Sequence, residues 1–327
     1  MLNRLSKLKD LLKTEYPLIQ GGMAWIADAD LAASVSNAGG LGVIAAGNAP
    51  PSWVKEQIDK IRTLTDRPFG VNIMLLSPYV KEVAELAANE KVPVVITGAG
   101  NPRDYIEMWK KAGITVAAVV ASSGLAVMME KAGADFVIAE GCEAGGHIGE
   151  MTTMVLVPNV VRSVSLPVVA AGGIWDANSV AAAFCLGASG VQVGTRFILS
   201  ASCNAHENYK KKIIGAKDTD VRVTGRSTGH PVRLLRNDLC RRMLQLEYTD
   251  NGAEQIEKLG EGSLRRAVLE GDLKNGSFMS GQCACLLDSV QTTEEIVRDL
   301  FDHRLFEKNA AMLLELSRIQ GKGSEES

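Results

Sequence analysis

The chain has 327 residues, is 46% hydrophobic and 22% charged, and carries a net charge of −3. Such a length and core content fit one large α/β barrel with an extra module, or two ordinary domains, and exclude an unstructured polar chain. The near-neutral balance excludes a global field toward nucleic acid or membrane. Lacking both a signal core and any apolar run of about 18 residues, the chain is expected in the cytoplasm.

The chain opens on an amphipathic stretch, MLNRLSKLKDLLKTEYP, with charges throughout. From Pro17 to Leu199, short apolar runs alternate with helical patterns. The strand candidates are PLIQGG, GLGVIAA, PFGVNIML, VPVVITGAG, TVAAVVAS, ADFVIAEG, PVVAAGGI and GVQVGTRFIL. Most are near-continuous apolar runs, as parallel strands covered on both faces require. Between them, Leu31 and Val35, then Val54, Ile58 and Ile61, then Val80, Val83 and Ala87 recur at helical spacing. Asp28 or Asp30 is suited to cap the first of these helices and Gly39 to end it.

Eight strand–helix units predict an α/β fold of (β/α)₈ TIM-barrel type; an open doubly wound sheet is the rival. After about residue 203 the pattern turns polar and charge-dense, which predicts a small, mostly helical inserted module. The expected division is a barrel from 1–202 and 278–327, and a module over its mouth from 203–277. A long amphipathic helix is expected from Thr293 to about Ile319, and disorder in the tail GKGSEES.

The six cysteines read as reduced thiols, and no His and Cys spacing suits zinc, so no transition metal is expected. In a barrel, sites sit at the carboxyl ends of the strands, with phosphate at the last two. Those ends read AAGGI, with Gly172 and Gly173, and VQVGTRF, with Gly194 and Thr195. Both offer bare backbone N–H groups to an anion; the alternative is that the glycines only make tight turns. Gln20, Gly21, Gly22, Met23, Asn72, Glu140 and Gln192 lie at other strand ends and suit a planar heterocycle. Asn72 has the alternative of satisfying a neighbouring backbone group.

Of four histidines, His147 follows a Gly145-Gly146 pair in the longest predicted βα loop. An imidazole there can exchange a proton near neutral pH, or be a solvated loop residue. His230 either lines the same pocket or structures a turn, and His206 and His303 read as surface residues. Cys142 as a nucleophile is a rival reading that lacks a third, orienting group.

Taken together, PLIQGGMAWIADADLAASVSNAGGLGVIAAGNAP, RPFGVNIMLLSPYV, TGAGNP, AEGCEAGGHIGEMTTM, VVAAGGI, VQVGTRF, NAHENYK, GRSTGHPVR and GSFMSGQ resemble the flavin-dependent enoyl-(acyl carrier protein) reductase II family, FabK. That family is related to the nitronate monooxygenases, formerly the 2-nitropropane dioxygenases. The resemblance implies non-covalent FMN at the barrel mouth, touching Gly22, Met23, Asn72, Glu140, Gly145, Gly146, Gly172, Gly173, Gln192, Gly194 and Thr195. It implies that Met279, Gly281 and Gln282 close over the flavin and that His147 is the active-site histidine. A monovalent cation with unassigned ligands and a homodimer also come from the resemblance alone.

The implied activity is reduction of trans-2-enoyl thioesters in fatty-acid elongation, by hydride relay from NADH or NADPH through FMN. The basic stretches YKKK (Tyr209 to Lys212) and RLLRNDLCRR, with Arg233, Arg236, Arg241 and Arg242, would steer an acidic acyl carrier protein. Nitronate monooxygenase is the alternative activity, and a non-catalytic flavin-binding protein the third.

Overall fold

The computed structural model describes residues 2–321, with side chains from Ser6 to Leu314. In chain order the strands are β1 (Leu18–Gln20), β2 (Gly42–Ala45), β3 (Phe69–Met74), β4 (Val94–Gly98), β5 (Thr115–Val120), β6 (Phe136–Glu140), β7 (Gly146–His147), β8 (Val168–Ala171), β9 (Gly190–Val193), β10 (Val221–Thr224) and β11 (Val232–Leu235). Eight of them form one parallel sheet in the order β1-β9-β8-β6-β5-β4-β3-β2. All eight fall inside the eight predicted runs. A parallel bridge between Ile19 and Leu41 brings β1 against β2, and the sheet closes as a (β/α)₈ barrel rather than an open sheet.

The apolar runs explain the closure. Interior positions such as Ile19, Val43, Val94, Ile96, Phe136, Ile138 and Val169 pack in one cluster inside the barrel. Leu8 and Leu12, four apart on the helix Leu2–Leu12, plug the end opposite the strand carboxyl termini and are fully buried in that cluster. The opposite strand faces pack under the helices, where the buried positions Val54, Ile58 and Ile61 recur as the spacing predicts. Asp28 is the cap of Ala29–Asn37, its carboxylate accepting from Leu31 N at 3.0 Å.

Gln20 sits at the seam, fully buried. Its Oε1 accepts from Val43 N at 3.0 Å and its Nε2 donates to Gly21 O. It therefore ties β1 to β2, and the sequence expectation that it meets a ligand is corrected.

The inserted segment is helical in Glu207–Ile214, Asp238–Leu246 and Gly252–Gly260. It also carries an unpredicted antiparallel hairpin, β10 with β11, whose inner strand pairs with β7 of the barrel. The expected long C-terminal helix is two helices, Thr293–Leu300 and His303–Gly321. The break has a local cause. Phe301 turns out of helical geometry to pack on Tyr16 at 4.8 Å, and Asp302 accepts from Arg304 N at 2.9 Å to start the second helix. The expectation for the tail falls, past Gly321, outside the described residues. Among the described residues no helix is long and apolar enough to cross a membrane.

Candidate functional site

The loops at the carboxyl ends of the strands surround a cavity of about 1050 Å³. His147, Gly22, Met23, Asn72, Glu140, Gly145, Gly146, Gly172, Gly173, Gln192, Gly194, Thr195, Met279 and Gly281 all line it. Gln282 does not: its side chain is exposed, and its N–H donates to Glu143 O at 2.9 Å.

The ends of β8 and β9 are adjacent in the sheet. Among the described residues, no acceptor meets the N–H groups of Gly172, Gly173, Gly194 or Thr195. Four unclaimed amides on one rim suit an anion that brings its own oxygens. Gly172 has φ +95°, and a Cβ there would stand 2.7 Å from Gly141 O, so the turn needs glycine. A Cβ on Gly194 would meet only Met23 Sδ at 3.6 Å, and its surroundings are the cavity itself.

Contacts gather the histidine loop, the helix that follows it and the returning segment at this rim, where Thr153 Oγ1 lies 2.9 Å from Gly172 O. The Glu143 carboxylate accepts from Thr153 N at 2.9 Å and from Thr153 Oγ1 at 3.0 Å. Gly281 N donates to Thr195 Oγ1 at 2.9 Å, which draws the returning segment across. Gly145 lies so close to that segment that a Cβ would sit 2.6 Å from the Ser280 carbonyl carbon. Tyr209, fully buried with its phenol pushed up by burial, donates to Met279 O at 2.7 Å and packs against Phe278 with the two rings tilted by 60°.

His147 is paired through β7 with Val232 of β11, and Ile148 N donates to Pro231 O at 3.1 Å. Its backbone is thus part of a sheet while its imidazole is exposed to the cavity. Burial, and next the charge of His230, hold its pKa below the ordinary 6.5. His230 is exposed beside it in the turn before β11. Glu140, at the end of β6, is pushed up to about 7 by burial. Near neutrality it therefore both donates and accepts. Asn72 and Gln192 have no side-chain partner among the described residues, so Asn72 does not serve the neighbouring backbone as the alternative supposed.

Cys142 is half-buried, and burial followed by the Glu143 charge pushes its thiol up, against a nucleophilic role. His206 is not a surface residue. Half-buried, it caps the helix Glu207–Ile214 by accepting from Asn208 N at Nδ1, 3.1 Å. His303 is exposed, as expected.

Two features escaped sequence reasoning. Trp25 takes a left-handed backbone, φ +65°, and stands under Arg265 of the inserted segment, 5.7 Å from guanidinium to ring centroid. Gly260, Gly262, Leu264 and Arg265 complete the wall there. The basic stretches also divide. Arg233 is buried, its Nε donating to Cys142 O at 3.0 Å, and Lys210 is buried too. Both leave the expected steering surface; Lys211, Arg236, Arg241 and Arg242 are exposed.

The family model described as nitronate monooxygenase matches residues 5–90 and 77–303. The structure of FabK from Thermotoga maritima is 49% identical, with a TM-score of 0.91 over 95% of this chain and 98% of that one. A probable nitronate monooxygenase from Staphylococcus aureus is 36% identical over 85% of this chain and 91% of its own length. A (3aS,4S,5R,7aS)-5-hydroxy-7a-methyl-1-oxo-octahydro-1H-indene-4-carboxyl-CoA dehydrogenase from Rhodococcus jostii is 32% identical over 96% of this chain and 85% of its own length.

Proposed function

The chain belongs to the nitronate monooxygenase family of flavin-dependent oxidoreductases, and from that premise we propose that it is an FMN-dependent enoyl-(acyl carrier protein) reductase. The observation that supports this reading best is that one cavity is lined both by four rim residues whose amides are unclaimed and by an exposed imidazole. The donor set fits FMN. The amides of Gly172, Gly173, Gly194 and Thr195 would hold its phosphate, and Asn72, Gln192 and Glu140 would meet the polar edge of its ring. When bound, FMN supplies the hydride relay from NADH or NADPH to the double bond.

The protein's own part is positional and electrostatic. His147, neutral because its pKa is depressed, donates an N–H to the thioester oxygen where negative charge develops. Met279 and Gly281 cover the site and exclude water. The substrate gains at Cβ a hydride that originates in NAD(P)H and at Cα a proton that originates in solvent, and the nucleotide leaves as NAD(P)⁺.

Nitronate oxidation is the second reading, favoured by the Staphylococcus aureus relative. Anaerobic mixing with NADH or NADPH separates the two. The reductase bleaches its flavin and regains colour when a trans-2-enoyl thioester is added. A flavin that pyridine nucleotide leaves yellow, but that turns over alkyl nitronates in air, overturns the proposal.

The carrier protein would approach the exposed Lys211, Arg236, Arg241 and Arg242. Arg241→Glu combined with Arg242→Glu is expected to raise KM for carrier-bound substrate about tenfold at low salt, leaving a pantetheine thioester unaffected. Steady-state kinetics at two ionic strengths checks it.

A further inference from the structure

The cavity is unevenly charged. The ionisable side chains that line it are Glu140, Glu143 and His147, from β6 and the loop after it, and Arg265 of the inserted segment. Arg265 is therefore the one permanent cation in the wall. It stands over the loop after β1, its guanidinium 5.7 Å from the centroid of the Trp25 ring.

Both partners of that contact are fixed. Trp25 packs on Trp53 with ring centroids 6.2 Å apart, and it keeps the left-handed φ of +65°. Gly262, at φ +66°, turns the chain into the short helix Ser263–Arg265. Ser277 N donates to Ser263 O at 2.9 Å, and His206 N donates to Val268 O at 2.8 Å. Ala267 and Val268, just beyond Arg265, are buried.

What the guanidinium lacks is an acceptor. Its ion pair with Glu270 is 3.8 Å long, with both side chains more than half exposed, too long for a hydrogen bond. Exposed pairs of this kind hold little. The next residue differs: Arg266 donates to Glu261 O at 3.2 Å. Among the described residues, no hydrogen-bond acceptor meets the donors of Arg265. A planar fork of donors, backed by an indole and open to a cavity, matches phosphate oxygens.

The position selects which phosphate. The flavin phosphate has the free amides at the ends of β8 and β9. A pyridine nucleotide must bring its nicotinamide to the flavin ring, so its adenosine end lies toward the mouth. Arg265 is exposed and belongs to the rim. The phosphate found there is the one on the adenosine ribose of NADPH, where NADH carries a hydroxyl. Dinucleotide sites read that hydroxyl with a carboxylate and the phosphate with an arginine. Both acidic lining residues come from β6 and its loop, and none from the segments around Arg265.

We propose that Arg265 binds the 2′-phosphate of NADPH, with Trp25 holding the guanidinium in place, and so makes the protein selective for NADPH. The inference rests on the reductase reading and adds to it which nucleotide supplies the hydride.

The test is stopped-flow reduction of the flavin-loaded enzyme by NADPH and by NADH, with no thioester present. The wild type is expected to bind NADPH at least ~10-fold more tightly than NADH. Arg265→Gln raises Kd for NADPH ~10–100-fold and leaves Kd for NADH within about twofold. Arg265→Lys, which keeps the charge without the fork, falls between. The side chain is exposed, so folding tolerates these changes, and visible flavin absorbance reports an intact cofactor site. Equal binding of both nucleotides by the wild type overturns the proposal. Equal weakening of both by Arg265→Gln puts the guanidinium on the shared pyrophosphate, and loss of flavin puts it on FMN; either overturns it. So does an unchanged Kd for both, with a raised KM for carrier-bound enoyl substrate locating the guanidinium on the carrier's phosphodiester instead. Glu270→Gln leaves Kd for NADH unaltered; a rise would show a carboxylate reading the ribose and overturn the selectivity. A flavin that neither nucleotide bleaches overturns the reductase reading and this assignment with it.

Discussion

His147→Ala lowers kcat/KM for trans-2-enoyl thioesters by ~10²–10⁴-fold, while reduction of the flavin by NADH or NADPH keeps its rate within about threefold. The asymmetry follows from what the imidazole can touch. It projects into the cavity from a two-residue strand that β11 holds in register, so the backbone stays put when the ring is removed. Stopped-flow measurement of the two half-reactions separates them. The pH dependence carries a sign. Burial, and then His230, hold the His147 pKa below 6.5, so the neutral ring is the resident form at neutrality and is lost only as pH falls through that depressed value. The profile of kcat/KM should therefore show an acid limb beginning below pH 6.5, absent in His147→Ala. His230→Ala removes one of the two lowering influences and moves that limb to higher pH. A limb that falls instead as pH rises would mean the imidazolium is the working form.

The barrel was legible because parallel strands buried on both faces must be written as apolar runs, and each of the eight runs from PLIQGG to GVQVGTRFIL contains a strand. The glycines and polar residues at the carboxyl ends were legible for a related reason: the fold decides where strand ends point, so AAGGI and VQVGT had to meet at one rim. What escaped is what depends on tertiary partners. The strand VRLL alternates Arg233 with apolar residues inside a charge-dense stretch, and only its pairing with β7 turns that arginine inward to Cys142 O. Gln20 looked like a ligand group because its barrel neighbour Val43, which takes its carbonyl, is 23 residues away. The Trp25–Arg265 contact joins the first βα loop to the inserted segment across most of the chain, a distance no local pattern encodes.

Gly194→Leu is expected to yield a folded, colourless protein, with FMN affinity reduced ~10²-fold or more and a melting temperature within a few degrees of the flavin-free parent. The position allows the two effects to be separated. Gly194 is not in the left-handed region, and a Cβ there meets only Met23 Sδ, at 3.6 Å, so the backbone tolerates a side chain. That side chain has nowhere to go but the cavity, in front of the amides of Gly194 and Thr195 that no other residue of the described chain uses. Gly172→Ala is the contrast. At φ +95°, with Gly141 O 2.7 Å from the new Cβ, it strains the turn itself and costs about 1–3 kcal/mol of stability whether or not flavin is present. Fluorescence titration of FMN alongside thermal melts distinguishes them: Gly194→Leu loses ligand and keeps its melting temperature, whereas Gly172→Ala lowers the melting temperature even without flavin. A Gly194→Leu protein that is purified yellow with unaltered affinity would place the phosphate away from β9, and the anion would then have to be held by some set of donors other than the four free amides.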